Sequence, residues 1–214
     1  MFQKVTEPWS RQEHFDHYLN HVRCSYSFTV EIEVTELHAK LKALGLKTYP
    51  VHIYLLAAAV NQLPEFRMGL VDGAPGYWEV VHPAYTIFHP ETKTFSSIWT
   101  PFEQNFRKFY QACTEDLANY QADRKLFPQK KQPANLFDLS SIPWLAFTAF
   151  DLQIAGTQPH LAPIFTIGKY RQQQGKIFMP LAVQLHHAAC DGYHAGQFVE
   201  AVRLLAKDCQ WLEE

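Results

Sequence analysis

Lys176-Ile-Phe-Met-Pro-Leu-Ala-Val-Gln-Leu-His-His-Ala-Ala-Cys-Asp-Gly192 joins a strand, two histidines and a turn. The run through Leu185 reads as a strand that feeds directly into His186 and His187, and His194 to Leu212 reads as a helix. Side chains that follow one another along a strand point to opposite faces. One imidazole is therefore expected to face packed structure and the other a cleft. A general-base site needs that arrangement, with a single reactive imidazole beside a neighbour held inside.

Working outward, Ile164 to Leu185 reads as strand folded back at Gln172-Gln-Gln-Gly175, and Trp144 to Ile154 as another strand. Cys24 to Val34 alternates and is rich in Tyr, Phe, Val and Ile, again a strand. Thr35 is placed to cap a helix that runs to Gly45, and Pro50 to open an apolar helix through about Leu63. Between Phe66 and Trp99, short β-prone runs broken at Asp72-Gly73, Pro75-Gly76 and Pro90 predict hairpins. From Pro101 to about Leu126, Phe102, Phe106, Phe109, Tyr110, Cys113 and Leu117 recur at helical spacing. Pro128-Gln-Lys-Lys-Gln-Pro133 is a polar surface loop, and no internal repeat is visible. Strands and helices interleave without a strict βαβ rhythm. The expected class is an α/β two-layer sandwich, a mixed β-sheet packed by helices, in one domain over residues 1–214.

The 214 residues are 47% apolar and 14% aromatic, enough for a globular core. Nineteen Lys plus Arg against 21 Asp plus Glu leave a net charge of −2 without a long basic run. That argues against nucleic acid or an anionic membrane as the main partner, but not against a small anionic ligand. The start of the chain lacks the apolar run and cleavage site of a signal peptide, and Val51 to Val60 is too short to span a bilayer. Cys24, Cys113, Cys190 and Cys209 show no paired spacing, so free thiols in a cytoplasmic protein are expected.

His-His-x-x-x-Asp-Gly marks a large group of coenzyme A-linked acyltransferases, and an ordered series of further segments narrows the match. These are Trp9-Ser-Arg11-Gln-Glu-His-Phe15, Pro64-Glu-Phe-Arg-Met68, Val81-His-Pro83, Tyr85-Thr-Ile-Phe-His89, Thr94-Phe-Ser-Ser-Ile-Trp99, Pro143-Trp144, Phe150-Asp-Leu152 and Ala162-Pro-Ile-Phe-Thr-Ile-Gly-Lys-Tyr170. Over nearly its whole length the chain resembles the type A chloramphenicol acetyltransferases. The resemblance implies acetyl transfer from acetyl-coenzyme A, a co-substrate rather than a resident cofactor, to the 3-hydroxyl of chloramphenicol, which inactivates the antibiotic. It also implies a homotrimer with active sites between subunits.

Residue by residue, the resemblance makes His187 the general base, oriented by a backbone carbonyl. Such a base typically contributes ~10²–10⁴-fold. Taken alone, a histidine at a strand end is more often buried and simply hydrogen-bonded. Asp191 tempts one to draw a serine-histidine-aspartate triad, but the resemblance pairs it structurally with Arg11. A plain turn or helix-cap role for Asp191 is compatible with that pairing. Ser140 matches the donor to the tetrahedral oxyanion, with Ser141 as the alternate, and Thr166 matches a threonine that helps hold an ordered water. Lys169 and Tyr170 match the coenzyme A channel, with Lys47 and Tyr49 as weaker candidates. Tyr18, Cys24, Tyr26, Phe95, Phe127, Phe150 and Leu152 match the acceptor pocket, although aromatics at such spacings are more often plain core.

Other readings remain. A related acyltransferase of the same motif could act on another hydroxyl or thiol, such as a dihydrolipoyl group, and a catalytically dead relative could bind ligand only. In a different class, His186, His187, Cys190, Asp191 and His194 are zinc-type ligands. Yet adjacent strand histidines do not converge on one ion, and no distant cysteine pair completes a site; no metal is expected.

Overall fold

The side-chain pattern around Lys176–His186 builds an inner strand of a seven-stranded sheet, next to its edge. In a computed structural model, which describes residues 1–6, 8–154, 156 and 159–213, the chain runs β1 (Phe2–Lys4), α1 (Gln12–Asp16), a π-helical segment His17–His21, β2 (Ser25–Glu33), α2 (Thr35–Leu44) and α3 (Thr48–Gln62). A 3-10 turn (Pro64–Arg67) leads to β3 (Met68–Val71), β4 (Ala74–Trp78), β5 (His82–His89), β6 (Thr94–Trp99) and α4 (Phe106–Tyr120). Then come β7 (Leu136–Ile142), β8 (Ile164–Gly168), β9 (Arg171–Gln173), β10 (Lys176–His186) and α5 (Gly192–Asp208), closed by a 3-10 turn at Gln210–Leu212.

The large sheet has the order β2-β10-β8-β7-β5-β6, with β9 pairing the start of β10, and a small sheet has the order β1-β4-β3. β5, β7 and β8 are mutually parallel and the other pairs antiparallel, so the sheet is mixed. Leu181, Val183 and Leu185 of β10, with Phe165 of β8 and Leu139 of β7, belong to the core that α2, α3 and α5 cover. There Phe198 of α5 stacks between Phe66 and Phe165. The expected helix-backed mixed sheet is therefore the observed one.

Proline inside a central strand is ordinarily excluded, because it removes a ladder donor. Pro180 is tolerated for a reason visible in the register. β10 pairs β9 over Lys176–Phe178 and β8 over Leu181–Gln184, so Pro180 falls where β10 changes neighbours.

Several element limits differ from the sequence expectation. Trp144–Ile154 is not a strand; β7 lies immediately before it and stops at Pro143. The segment instead crosses the sheet face away from the helices, where the Phe150 N–H donates to the Thr29 hydroxyl at 3.2 Å and the Ser27 hydroxyl bonds the Asp151 carboxylate. Side-chain hydroxyls thus replace a strand ladder. Thr35 is the first residue of α2 rather than its cap; its hydroxyl accepts the Ile177 N–H at 3.0 Å. α3 starts at Thr48, with Pro50 in the first turn, where the missing N–H has no helical partner to lose. α4 is shorter than the apolar spacing predicted, because Asn105 caps it by accepting the Lys108 N–H at 3.0 Å. α5 begins at Gly192, capped by Asp191. Asp72-Gly73 turns β3 into β4 as expected, but Pro75-Gly76 lies within β4. A Cβ at Gly76 would meet the Gln3 carbonyl at 2.4 Å, so that glycine admits β1 against β4 and does not make a turn.

Candidate active site

The two histidines diverge as the pleat requires. His186 is buried and turned, with Gln184, Ser25 and His160, toward the face that carries Thr166; its Nδ1 accepts the Ala188 N–H at 3.2 Å. Burial, with His160 and His187 nearby, lowers the pKa of His186, which favours a neutral ring. His187 takes the other side, half-buried at the sheet end. Its backbone N–H donates to the Cys24 carbonyl at 2.8 Å. Its ring stacks on Tyr18 at 3.8 Å with 5° between planes, and Tyr26 meets it edge-on at 5.3 Å. The expected carbonyl bond to Nδ1 is absent: that atom is buried without a hydrogen-bond partner among the described residues, and the two tyrosine rings set the plane instead. Tyr18, Cys24 and Tyr26 are thus gathered around His187.

Asp191 does not serve His187 as a triad carboxylate, because both of its oxygens are engaged. Oδ2 bonds the Arg11 guanidinium, while Oδ1 accepts the Tyr193 N–H at 3.1 Å and lies 2.9 Å from His194 Nδ1. Arg11 also reaches the Ala188 carbonyl at 3.5 Å, so the pair grips the turn just past His187. Partial burial pushes the Asp191 carboxyl up, but the Arg11 hydrogen bond and the His194 and Arg11 charges outweigh it and hold the pKa below the usual range. Two further residues complete the grip. His194 Nε2 lies 3.6 Å from the Glu65 carboxylate, and the Cys190 thiol donates to the Glu65 carbonyl at 3.5 Å. Sequence alone offers Glu65 no role, and His194 only the start of a helix or a zinc-type donor in a reading it disfavours. Its position three residues past the cap, where a capping-box partner sits, was the available signal.

Arg11→Val should weaken this grip measurably. It leaves a carboxylate without its cation, which for a fully buried pair costs ~3–5 kcal/mol. With 34% of the Asp191 side chain exposed, screening reduces this to about 2 kcal/mol, read as a lower urea midpoint at pH 7. A carboxyl depressed in the folded state stabilises the fold above the unfolded pKa of about 3.9. That contribution fades as pH falls through the lower folded value. The gap between variant and wild type should therefore close below about pH 4. Equal midpoints at pH 7 would dismiss the ion pair as a stabilising contact.

Ser140 and Thr166 sit side by side on parallel strands, hydroxyl oxygens 3.0 Å apart, with Thr166 buried. Phe150 and Leu152 close over Thr166 and Ala182 on the same face. Ser141 points the other way, into a separate cavity of about 530 Å³. That cavity is lined by Tyr49, His52, Ile87, Phe88, Pro143, Trp144, Ile167, Gly168, Lys169 and Tyr170, among others. The two serines thus point to opposite sides: Ser140 faces Thr166, and Ser141 faces the cavity.

Three of the four residues expected at a cofactor channel line this cavity, and Lys47 does not. It precedes α3 as an exposed cap position, its N–H donating to the Tyr110 hydroxyl at 2.8 Å. The Tyr49 hydroxyl is tied to the Thr86 backbone at 3.0 and 3.3 Å, so Tyr49 presents mainly its ring. Phe95 and Phe127 lie toward the β6 edge, exposed and apart from the Tyr18–His187 cluster. Phe95 pairs across strands with the cavity residue Phe88, and the segment bearing Phe127 is held by the Ser97 N–H to Leu126 carbonyl bond, 2.7 Å. The acceptor-pocket candidates thus form three groups rather than one.

Within one chain His187 and Ser140 cannot meet. Thr166 pairs with Ala182 in β10, five residues before His187. At about 3.3 Å per residue along the strand and about 4.8 Å between strands, Ser140 lies roughly 19 Å away. No group of three or more His, Cys, Asp or Glu is placed to hold a metal ion among the described residues. None of the described helices is long and apolar enough to cross a membrane.

Among solved structures, a chloramphenicol acetyltransferase superposes with a TM-score of 0.88 at 25% identity, covering 97% of this chain and 100% of the other. The dihydrolipoamide acetyltransferase of Azotobacter vinelandii shares the fold at a TM-score of 0.69, with 20% identity over 99% and 95% of the two chains. The class that this fold and its paired histidines define is an acyltransferase. Sequence narrows it further. The chloramphenicol acetyltransferase family profile matches residues 2–203. A chloramphenicol acetyltransferase of Bacillus pumilus is 52% identical over 100% of this chain and 98% of its own, and one from Clostridium butyricum 47% over 96% and 94%. The chain belongs to the chloramphenicol acetyltransferase family.

Proposed function

We propose that this chain transfers the acetyl group of acetyl-coenzyme A to the 3-hydroxyl of chloramphenicol, with His187 as base. As the hydroxyl oxygen attacks the thioester carbonyl, an imidazole nitrogen of His187 takes its proton. The Ser140 hydroxyl, aligned by Thr166, donates to the resulting oxyanion. Collapse breaks the carbon–sulfur bond, and the leaving thiolate recovers the proton from His187. An alcohol is too weakly acidic to ionise by itself near neutral pH, which is why the base is needed.

The observation that carries this reading is the divergence of the histidines, one locked inside and one half-open between Tyr18 and Tyr26, in a chain 52% identical to the B. pumilus enzyme. The 530 Å³ cavity suits the donor: Lys169 is an exposed cation for phosphate, and the Trp144, Tyr49 and Tyr170 rings offer stacking surfaces. The roughly 19 Å between His187 and Ser140 is bridged when a neighbouring copy supplies one of them. We therefore read the active unit as a cytoplasmic homotrimer with its sites between subunits. Exposed apolar side chains favour such an assembly: Phe95 (51%), Trp144 (62%), Leu145 (52%) and Ile154 (47%).

The test is thiol release from acetyl-coenzyme A, with chloramphenicol and its 3-deoxy analogue as acceptors. Release with the first and none with the second is expected. Equal release with both would refute attack by the 3-hydroxyl, and transfer to dihydrolipoamide alone would favour the related acyltransferase.

A further inference from the structure

Tyr170 stands in the gap between β8 and β9, where no strand ladder holds it. Its neighbour Lys169 is anchored through the backbone, since its N–H donates to the Leu145 carbonyl at 2.9 Å. Beneath that anchor, Gly168 lies so close to Phe147 that a Cβ would come within 2.7 Å of the ring. The tyrosine ring needs an anchor of its own, and α3 provides it. His52, 4% exposed between the fully buried Val51 and Ile53 of α3, presents Nε2 to the Tyr170 hydroxyl in a close hydrogen bond. The ring centroids lie 5.6 Å apart, and His38 meets the same tyrosine edge-on at 6.1 Å from α2.

We propose that His52 is a positioning residue for the donor cavity, fixing the Tyr170 ring against the wall beside Lys169; this rests on the reading that the cavity takes acetyl-coenzyme A. An imidazole among buried aliphatic side chains is unfavourable unless it is hydrogen-bonded. Val51 and Ile53 on either side are fully buried, so an apolar residue would fit α3 as well. What the imidazole adds is the bond to Tyr170. Burial holds its pKa at about 4, and burial also raises that of the phenol, so both partners stay neutral near pH 7 and one proton joins them whichever way it points.

His52→Leu keeps the bulk and removes the bond, whereas His52→Gln places an amide near the Nε2 position. For His52→Leu, KM for acetyl-coenzyme A and Kd for coenzyme A by calorimetry should rise about fivefold, the size of one net hydrogen bond. kcat and KM for chloramphenicol should move much less. The glutamine variant should regain most of the affinity. Tyr170→Phe should match His52→Leu, and the double variant should be no worse than either single one. Unchanged donor KM in His52→Leu overturns the inference, as does a loss that follows melting temperature and is not restored by glutamine. Should His52→Leu fail to fold, Tyr170→Phe decides, because it leaves α3 untouched; donor KM at the wild-type value then overturns the inference. Lys169→Ala and Trp144→Ala separate this from the reading it rests on. If they weaken coenzyme A binding while His52→Leu does not, only the role of His52 fails. If they too bind as wild type does, the cavity is not the donor site and the inference falls with it.

Discussion

His187→Ala should lower turnover with chloramphenicol by about 10²–10⁴-fold while coenzyme A binds with nearly unchanged affinity. The two halves of that result have separate physical origins. Turnover falls because the side chains packed against this ring among the described residues, Tyr18 and Tyr26, are poor bases. Tyr18 and Tyr26 are phenols, burial raises the Tyr26 pKa further, and Asp191 is committed to Arg11, Tyr193 and His194. Donor affinity survives because His187 does not line the cavity that holds Lys169 and Trp144. The variant should also fold, since alanine removes one stacked face against Tyr18 and breaks no charge pair. Stopped-flow thiol release, calorimetry with coenzyme A and a melting curve measure the three parts. Turnover within a fewfold of wild type would remove His187 from the chemistry. Abolished coenzyme A binding would show instead that the ring supports the donor site.

The outline of this fold was legible wherever a residue's local chemistry agreed with its tertiary surroundings. Lys176–Leu185 is buried without a break from Met179 to Val183, as an apolar strand covered on both faces should be, and its proline sits at the change of partner. The paired histidines diverge because pleating is a local rule that no neighbour overturns. Trp144–Ile154 failed because its aromatic and β-branched content is equally suited to a segment lying flat across a sheet. Sequence records apolarity but not whether a free strand edge awaits it. The same ambiguity made Thr35 look like a cap when its hydroxyl was needed by Ile177.

The site was legible to a different degree. Arg11 and Asp191 are 180 positions apart, and only the family resemblance joined them; their contact is the observed one. Ser140 and Ser141 could not be ranked by composition, yet alternation on β7 sends them to opposite faces. Lys47 carries a charge suited to phosphate, but its place just before α3 leaves it outside the cavity lining. His52 had no signal, because its partner lies 118 positions away in an unpaired gap. What sequence could not convey was that the candidate residues form separated groups in each chain.

That separation shapes the last expectation. Ser140→Ala should reduce kcat by about 10²–10³-fold and leave both KM values close to wild type, because an oxyanion donor acts mainly in the transition state. Ser141→Ala is the control. Its hydroxyl faces the cavity proposed for the donor, so any effect should appear in KM for acetyl-coenzyme A. If instead Ser141→Ala loses turnover and Ser140→Ala does not, the two assignments exchange. Because His187 and Ser140 lie roughly 19 Å apart within a chain, the two inactive variants should also complement each other. After co-refolding His187→Ala with Ser140→Ala, some interfaces join an intact His187 from one copy to an intact Ser140 from its neighbour. Free mixing in a closed ring gives such pairs at about a quarter of sites. Recovery of about that share of wild-type activity is expected, and none on mixing without refolding. A refolded mixture as inactive as its components would mean that each site draws both residues from one chain, and the interfacial site would have to be abandoned.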